Sequence, residues 1–505
     1  MPIAPDPVPR PLDSLVEQGE SDAPALVLRT HTLSYGGLRE RVALLAGWLA
    51  SRAQAGDRIA SWAAKGELTC LLPLAAARAG MVHVPINPLL KHSQAAHILA
   101  DSGAVLLIGT AARLKSLQAD DVPSGCALVE EGEAWSSAEA LASPLPASTR
   151  DPQELAAILY TSGSTGLPKG VMLSHANMWL GAISVAHYLG VRPPDRTLCV
   201  LPFSFDYGQN QLLSSWAAGA SVVPFDYLLA RDVVKAIGRH DVTILAGVPP
   251  LWVQLTEIDW PEEIAAKLNT LTNTGGKMPV SLVRKLRSLF PGARLHSMYG
   301  LTEAFRSTTL DPALIDVHPE SIGKAIPFAE VMVVRPDGVE AACGESGELV
   351  HAGPLVAQGY WQDAERTALR FKPAPGFSRY GGTAVWSGDT VVRDEAGLLR
   401  FVGRDDSMIK TAGNRVSPSE IEDVAIASGE VAEACAFGVP DERLGAAIIL
   451  IVRGHDGEKD EALKRFLKAE LPNFMQPREI VWQGDMPRNP NGKLDRTAIE
   501  RKWGV

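Results

Sequence analysis

Through most of the first 400 residues, short apolar runs at 157–160, 197–201, 221–225, 243–246 and 294–299 alternate with amphipathic stretches such as 232–239 and 281–289. Runs of that length bounded by turn residues read as buried strands, and the stretches between them carry the period of helices. Such alternation predicts an α/β architecture, with mostly parallel sheets covered by helices. Ligands in that architecture gather where loops leave the carboxyl ends of strands. Four loops follow apparent strands: YTSGSTGLPKG at 160–170, FSFDYG at 203–208, TNTGGK at 272–277 and MYGLTE at 298–303. All four can converge on one cleft.

After Phe401 the texture changes. GRDDSMIKTAGNR, at 403–415, is polar and carries glycine, and it precedes a compact region of about one hundred residues. There, 434–439 and 446–452 read as strands and 459–471 as a helix. The expectation is a large domain over 1–403 and a small, mobile α+β domain over 404–505, joined by a hinge within the polar segment.

The 505 residues hold 48 Lys and Arg against 58 Asp and Glu, a net charge of −10. That balance argues against general binding of nucleic acid or anionic membrane, while a local basic cleft can still hold a small anion. The five cysteines are scattered, with no CxxC pair and no metal-ligand spacing, so they read as reduced thiols of a cytoplasmic protein. The first residues, MPIAPDPVPR, have no basic segment leading into an apolar run. No stretch approaches the roughly twenty apolar residues needed to span a bilayer.

The loop at 160–170 suits a polyphosphate. Its glycines let backbone N–H groups approach anionic oxygens, Thr161, Ser162, Ser164 and Thr165 add hydroxyl donors, and Lys169 adds positive charge. A Walker A loop needs four residues between its glycines followed by Gly-Lys-Ser/Thr; here Gly163 and Gly166 are closer and Pro168 precedes the lysine.

Taken in order, LSYGGL, YTSGSTGLPKG, MYGLTE, WSGD, GRDDSMIKTAGNRVSPSEIE and NPNGKLDR give a chain that resembles the adenylate-forming superfamily of acyl-CoA synthetases, peptide-synthetase adenylation domains and luciferases. The resemblance runs from about Leu33 to Asp495. SFDYGQNQ, PPLWVQL, TNTGGKMP and YGLTEAFRST are most similar to the branch described as exosortase-associated AMP-forming acyl ligases. The family joins a carboxylate to the α-phosphorus of ATP, releasing pyrophosphate, and a thiol then takes the acyl group. Both half-reactions gather charge on nonbridging oxygens, where donors fixed in advance matter most.

The resemblance implies a role for each motif. Thr161, Ser162, Gly163, Ser164, Thr165, Gly166 and Lys169 would clasp the outer phosphates of ATP. Tyr299, with Gly300 beside it, would pack on adenine, Thr302 would contact the α-phosphate, and Glu303 would hold magnesium, a hard ion content with one or two protein carboxylates beside phosphates. Gly275, Gly276 and Lys277 match the loop bordering adenine, although family members commonly carry an acid or amide at the position of Lys277. Asp389 would accept both ribose hydroxyls, and Arg404 would contact ribose or phosphate. The family more often has Tyr-x-Thr-Gly-Asp there, so Trp386 and Ser387 depart from its pattern. Lys493, in a turn-rich segment, would bridge the carboxylate and the α-phosphate. Asp405 matches the hinge, and Lys410, Gly413 and Arg415 would face the pantetheine arm of the thiol substrate after the small domain rotates.

For the acid, Asp206 matches the aspartate that faces the α-ammonium in amino-acid-activating relatives. Its other reading is a helix cap near Gln209. Phe205, Tyr207, Gln211, Trp252, Phe305 and Arg306 are the remaining candidates for the pocket, with Arg306 paired either to a second substrate carboxylate or to Asp206. The acceptor is the phosphopantetheine of CoA or of an acyl or peptidyl carrier protein. An amine-free fatty, aryl or dicarboxylic substrate is the alternative within this chemistry; a non-catalytic nucleotide-binding scaffold is the alternative outside it. Intact Lys169, Glu303, Asp389, Arg404 and Lys493 argue against the scaffold.

Overall fold

The glycine-rich loop joins two antiparallel strands, β1 (Leu155–Thr161) and β2 (Lys169–Ser174), with Thr161 opposite Lys169. A Walker A loop runs from strand into helix, so the strand-to-strand connection agrees with the glycine spacing. The computed structural model describes residues 4–161, 168–404, 409–411, 414–441, 444–455 and 459–504, apart from the side chains of residues 404, 410, 414 and 415. β2 passes directly into α1 (His175–Leu189). Ser174 ends the strand because its hydroxyl accepts from the Asn177 amide, while the Asn177 side chain accepts from the Ser174 amide.

β1 and β2 edge a sheet whose other strands, including Arg58–Trp62 and Val82–Pro85, pair in parallel. A second sheet carries the parallel core: β3 (Arg196–Cys199), β4 (Ile244–Gly247), β5 (Thr270–Asn273) and β6 (Arg294–Tyr299), with β3 also parallel to Ser221–Pro224. α2 (Asp206–Ala217) leaves the end of β3 and packs against α1. These strands and helices fall where the alternation places them.

Beyond β6 the second sheet becomes antiparallel, through Ser321–Ala325 to β7 (Thr383–Arg393) and β8 (Leu399–Arg404). The alternation gives no hint of this. From residue 308 onward short connections replace the crossover helices, and antiparallel neighbours need only short connections.

Glu330, in this antiparallel part, is 6% exposed. Its carboxylate accepts from the Ser378 hydroxyl at 2.6 Å, from the Arg379 amide at 2.9 Å and from the Tyr380 amide at 3.1 Å, pinning the loop that follows residue 377. Burial alone would raise its pKa, but these hydrogen bonds to the ionised form prevail and hold it at about 2. Its stabilisation is therefore complete above the ordinary glutamate range and is lost as pH falls from there through about 2. Glu330→Gln is expected to lower the melting temperature at neutral pH and to flatten its decline between about pH 4.5 and 2, as thermal melts across that range would read.

The carboxyl-terminal part has its own layer. β9 (Val431–Asp441) pairs antiparallel with β10 (Gly445–Gly454), which pairs in parallel with β11 (Glu479–Trp482). α3 (Pro418–Ala427) and α4 (Asp460–Glu470) cover one face, burying Ile421, Ala425, Leu463 and Leu467 against Leu450 and Val452. No helix among the described residues is long and apolar enough to cross a membrane.

Candidate active site

A cleft of about 500 Å³ opens at the carboxyl ends of β5 and β6, between the large part and the carboxyl-terminal layer. Asn273, Gly275, Gly276, Tyr299, Asp389 and Lys493 line it. Two of the four predicted loops, TNTGGK and MYGLTE, thus line it; FSFDYG reaches it through Phe205 beside Lys493, and the glycine-rich loop through the pair of Lys169 with Glu303.

Lys493 is placed by a tight turn. The Asn489 side-chain oxygen accepts from the backbone amides of Asn491 and Lys493 at 3.0 and 3.1 Å, and Gly492 supplies a φ of 80° that other residues rarely adopt. Asn87 docks this turn on the large part, its amide donating to the Pro490 carbonyl at 3.0 Å and to the Asn491 side chain at 3.2 Å. The lysine then enters the cleft, with its Nζ 4.5 Å from the centroid of the Phe205 ring. Gly275 leaves its path open: a Cβ there would lie 2.6 Å from Lys493 Cε and 3.0 Å from Nζ.

Ahead of Lys493 lies Asp206, the first residue of α2 and 5% exposed. The helix begins at Asp206 rather than near Gln209, and the side chain does not cap it. Its carboxylate accepts instead from the Thr302 hydroxyl at 3.1 Å and stands 4.0 Å from Arg306 Nη1. Burial pushes this carboxyl above its ordinary value, against the opposing pull of Arg306 and Lys493. The Arg306 guanidinium lies 4.7 Å from the Tyr207 ring centroid, and the Tyr207 hydroxyl donates to the Thr272 carbonyl at 2.8 Å.

A second cluster holds Lys169 and Glu303. Lys169 Nζ is 3.1 Å from a Glu303 oxygen and 2.6 Å from the Tyr360 hydroxyl, which itself donates to Glu303 at 2.6 Å. Burial would raise the Glu303 carboxyl, but the Lys169 charge and the Tyr360 hydroxyl hold it below its usual value. Glu303 is therefore a ready anionic oxygen donor. Among the described residues no group of three or more His, Cys, Asp or Glu could hold a metal ion; Glu303 alone would suit a magnesium that takes its other ligands from phosphates.

On the nucleoside side, the Tyr299 hydroxyl donates to Asp389 at 2.5 Å, and the backbone register of β7 with β8 sets Asp389 opposite Arg404. Ser387, where the family pattern has threonine, accepts from the Asp389 amide at 3.1 Å and donates to the Leu349 carbonyl at 2.6 Å. Its hydroxyl fixes the backbone of Asp389. Among the described residues, Asn273 Oδ1, Thr274 Oγ1 and Thr161 Oγ1 are buried without hydrogen-bond partners, open positions in a site made for a polar ligand.

Two expected pocket residues sit elsewhere. Trp252 is fully buried under Gly247, where a Cβ would come within 2.8 Å of its indole. Phe305 packs in the core against Gly181, where a Cβ would approach its ring to 2.3 Å. The turn that carries Phe305 inward has a φ of 60°, and the next residue, Arg306, is buried with its guanidinium 4.0 Å from Asp206. Lys277 forms an ion pair with Asp423 of α3 across the cleft. Lys410 and Arg415 are opposed on two short paired strands. Ser162, Gly163, Ser164, Thr165, Gly166, Asp405 and Gly413 lie outside the described residues.

Tyr360, Asn87, Asp423 and Asn210 stand among these residues without a motif that singles them out in the sequence. Only Asn210 carried a usable signal, standing four residues after Asp206 and hence on the same face of α2.

Residues 14–361 match the AMP-binding enzyme family, and residues 420–493 match the AMP-binding enzyme C-terminal domain. The chain belongs to this family. It is 32% identical over 498 residues to the L-proline--[L-prolyl-carrier protein] ligase of Pseudomonas fluorescens, covering 95% of this chain and 96% of that one. It is 30% identical to the feruloyl-CoA synthase of an Amycolatopsis species, covering 94% of each. In fold it is similar to ATP-bound MatB from Rhodopseudomonas palustris, with a TM-score of 0.89 and 24% identity over 98% of this chain and 99% of that one. This member of the AMP-binding family is an AMP-forming acid–thiol ligase, using ATP and Mg2+ and a CoA or carrier-protein thiol as co-substrate. The cleft, its unpartnered polar atoms and the Glu303 carboxylate fit that pair of ligands.

Proposed function

We propose that the enzyme activates an amino acid, or another amine-bearing acid, and passes it to the phosphopantetheine thiol of a carrier protein, with CoA as the alternative acceptor. The observation that carries this reading is Asp206: a buried carboxylate that accepts from Thr302 and lies in the fields of Arg306 and Lys493. A desolvated ammonium needs such a counter-charge; Arg306 forms an ion pair with Asp206 at 4.0 Å, too long for a hydrogen bond, so the carboxylate keeps room to accept from an ammonium. End-to-end similarity to a prolyl-carrier ligase supports the carrier-protein acceptor. A cytoplasmic setting agrees with five free cysteines.

In the first half-reaction a carboxylate oxygen bonds to the α-phosphorus as the bond to the leaving pyrophosphate breaks. Lys493 holds the two anions together, Thr302 and Arg404 contact the nucleotide, and Lys169 with the 161–166 loop takes the outer phosphates. Glu303 would hold Mg2+, whose part is to screen phosphate charge. Tyr299 and the Gly275–Gly276–Lys277 loop flank the base, and Asp389 accepts the ribose. In the second half-reaction the thiolate attacks the acyl carbon and AMP departs with the bridging oxygen. Asp405 would serve as hinge for the rotation between them, and Lys410, Gly413 and Arg415 would line the thiol's approach.

The pair formed by Lys277 and Asp423 belongs to the first arrangement only. Lys277→Ala is therefore expected to slow acid-dependent ATP–pyrophosphate exchange a few-fold and to speed thiolysis of preformed adenylate, with rapid-quench measurement of each half-reaction as the check. The test of the proposed substrate class is a comparison of amino acids with their deaminated counterparts in that exchange; equal or better response to the amine-free acids would refute it.

A further inference from the structure

Beside Asp206, at Tyr207 and Arg306, lies a small cavity of about 20 Å³, room for one water-sized group. Met298 lines both this cavity and the main cleft. α2 turns an unusual face toward the cavity. Tyr207, Asn210, Gln211, Ser214 and Ser215, spaced i, i+3, i+4, i+7 and i+8, make that face polar, although a helix face turned inward is ordinarily apolar. Val185, Leu189, Ile244 and Met298 supply an apolar side opposite.

Part of this polar side is satisfied within the protein: the Tyr207 hydroxyl donates to the Thr272 carbonyl, the Ser214 hydroxyl to the Asn210 carbonyl and the Ser215 hydroxyl to Thr197. Asn210 and Gln211 are 2% and 4% exposed and Arg306 is 2% exposed. Among the described residues, Asn210 Oδ1, both amide atoms of Gln211 and Arg306 Nε have no hydrogen-bond partner. Leaving buried polar atoms unpaired is costly, so several of them meeting at one cavity mark a place where a ligand completes the bonding. The set is mixed: the Arg306 N–H and the Gln211 amide nitrogen donate, whereas the Asn210 and Gln211 oxygens accept. Exchanging the two ends of either amide leaves the set mixed. A carboxylate offers only acceptors and an ammonium only donors; a hydroxyl or a carboxamide offers both.

We infer that Asn210, Gln211 and Arg306 select an acid whose short side chain ends in a neutral group that both donates and accepts hydrogen bonds, a hydroxyl or a carboxamide. The inference rests on the amino-acid reading of the pocket for the position of the substrate, and it adds the chemistry of the distal end. The cavity's size favours a side chain that places one small polar group in it, as the hydroxyl of a short side chain or the end of a carboxamide does. Its apolar side accepts the methylene or methyl that such side chains also carry.

The test is ATP–pyrophosphate exchange on the intact enzyme with a panel varied along two axes. One axis is the distal group: serine, threonine and asparagine beside alanine, 2-aminobutyrate, valine and leucine, then aspartate and ornithine. The other axis is the amine, with the 2-deamino counterpart of each. We expect kcat/KM for the best hydroxyl or carboxamide acid to exceed that of its apolar isostere by at least about 100-fold, because the isostere leaves the site's polar atoms unpaired. Gln211→Leu and Asn210→Leu, each checked for an unchanged melting profile, should shrink that ratio to under about tenfold while the KM for ATP stays put; a purely structural role would leave the ratio intact.

Apolar isosteres performing as well as the polar acids would overturn the distal inference, with ordered water then filling the cavity, and would leave the amine reading standing. A preference for aspartate or ornithine would overturn it equally. Response confined to amine-free acids would refute the amine reading alone, and the polar-to-apolar ratio within those acids would still decide the distal one.

Discussion

Lys493→Ala is expected to lower acid-dependent ATP–pyrophosphate exchange by about 10²- to 10³-fold, the usual cost of removing one preorganised donor from a developing anion. The lysine is a contribution of the carboxyl-terminal layer to the cleft. It is held by a turn that Asn489 closes and Asn87 docks, and it passes over Gly275 to the Phe205 ring. On the proposed mechanism two anions, the substrate carboxylate and the α-phosphate, approach each other there, and an ammonium between them offsets their repulsion. The variant should fold and bind ATP, because the turn is built from Asn489 and Gly492 rather than from the lysine side chain. Thiolysis of chemically prepared adenylate should survive, since that half-reaction follows removal of the lysine from the cleft. Measuring the two half-reactions separately checks this: exchange at the wild-type rate would remove Lys493 from its role.

The second large effect is at Asp206. Asp206→Asn is expected to reduce kcat/KM for amino acids by about 10²- to 10³-fold, in line with the 2–5 kcal/mol lost when one member of a buried charged contact is removed. Deaminated counterparts should lose far less, so the ratio between the two classes is the informative quantity. The asparagine can still meet the Thr302 hydroxyl, but it leaves Arg306 buried beside a neutral group. A lower melting temperature is therefore expected together with the kinetic change. An unchanged preference for amino acids over deaminated acids would separate Asp206 from ammonium recognition.

The parallel core was legible in the sequence because buried parallel strands read as continuous apolar runs and the crossover helices as amphipathic ones; β6 (Arg294–Tyr299) falls on its predicted bounds. The antiparallel part beyond Thr308 was not, since a long strand such as β7 alternates buried and partly buried residues without helices to punctuate it. Within the site, Lys493, Glu303, Asp389 and Asp206 were legible because each sits in a motif of fixed residue types, and all four are at or beside the cleft. Tyr360 was not: an aromatic after Gly359 reads as core, and only tertiary packing brings its hydroxyl between Lys169 and Glu303. Phe305 was misplaced for a related reason. The chain reverses at that residue with a positive φ, sending its ring toward Gly181 and Arg306 toward Asp206, and no local pattern distinguishes those two directions. Lys277 breaks the family pattern at its position, and Asp423, 146 residues later, supplies the partner that accommodates it.

Oxygen tracing tests the central claim most directly. An amino acid labelled with ¹⁸O in its carboxylate, incubated with the enzyme, ATP, Mg2+ and a phosphopantetheine thiol, should transfer one labelled oxygen to AMP, because the bond to the α-phosphorus forms through that oxygen and the acyl–oxygen bond is the one the thiol breaks. Mass spectrometry of the nucleotide product reads it. AMP carrying a single ¹⁸O is the predicted result; unlabelled AMP, or ADP as the nucleotide product, would contradict activation of an acid through its adenylate in this cleft.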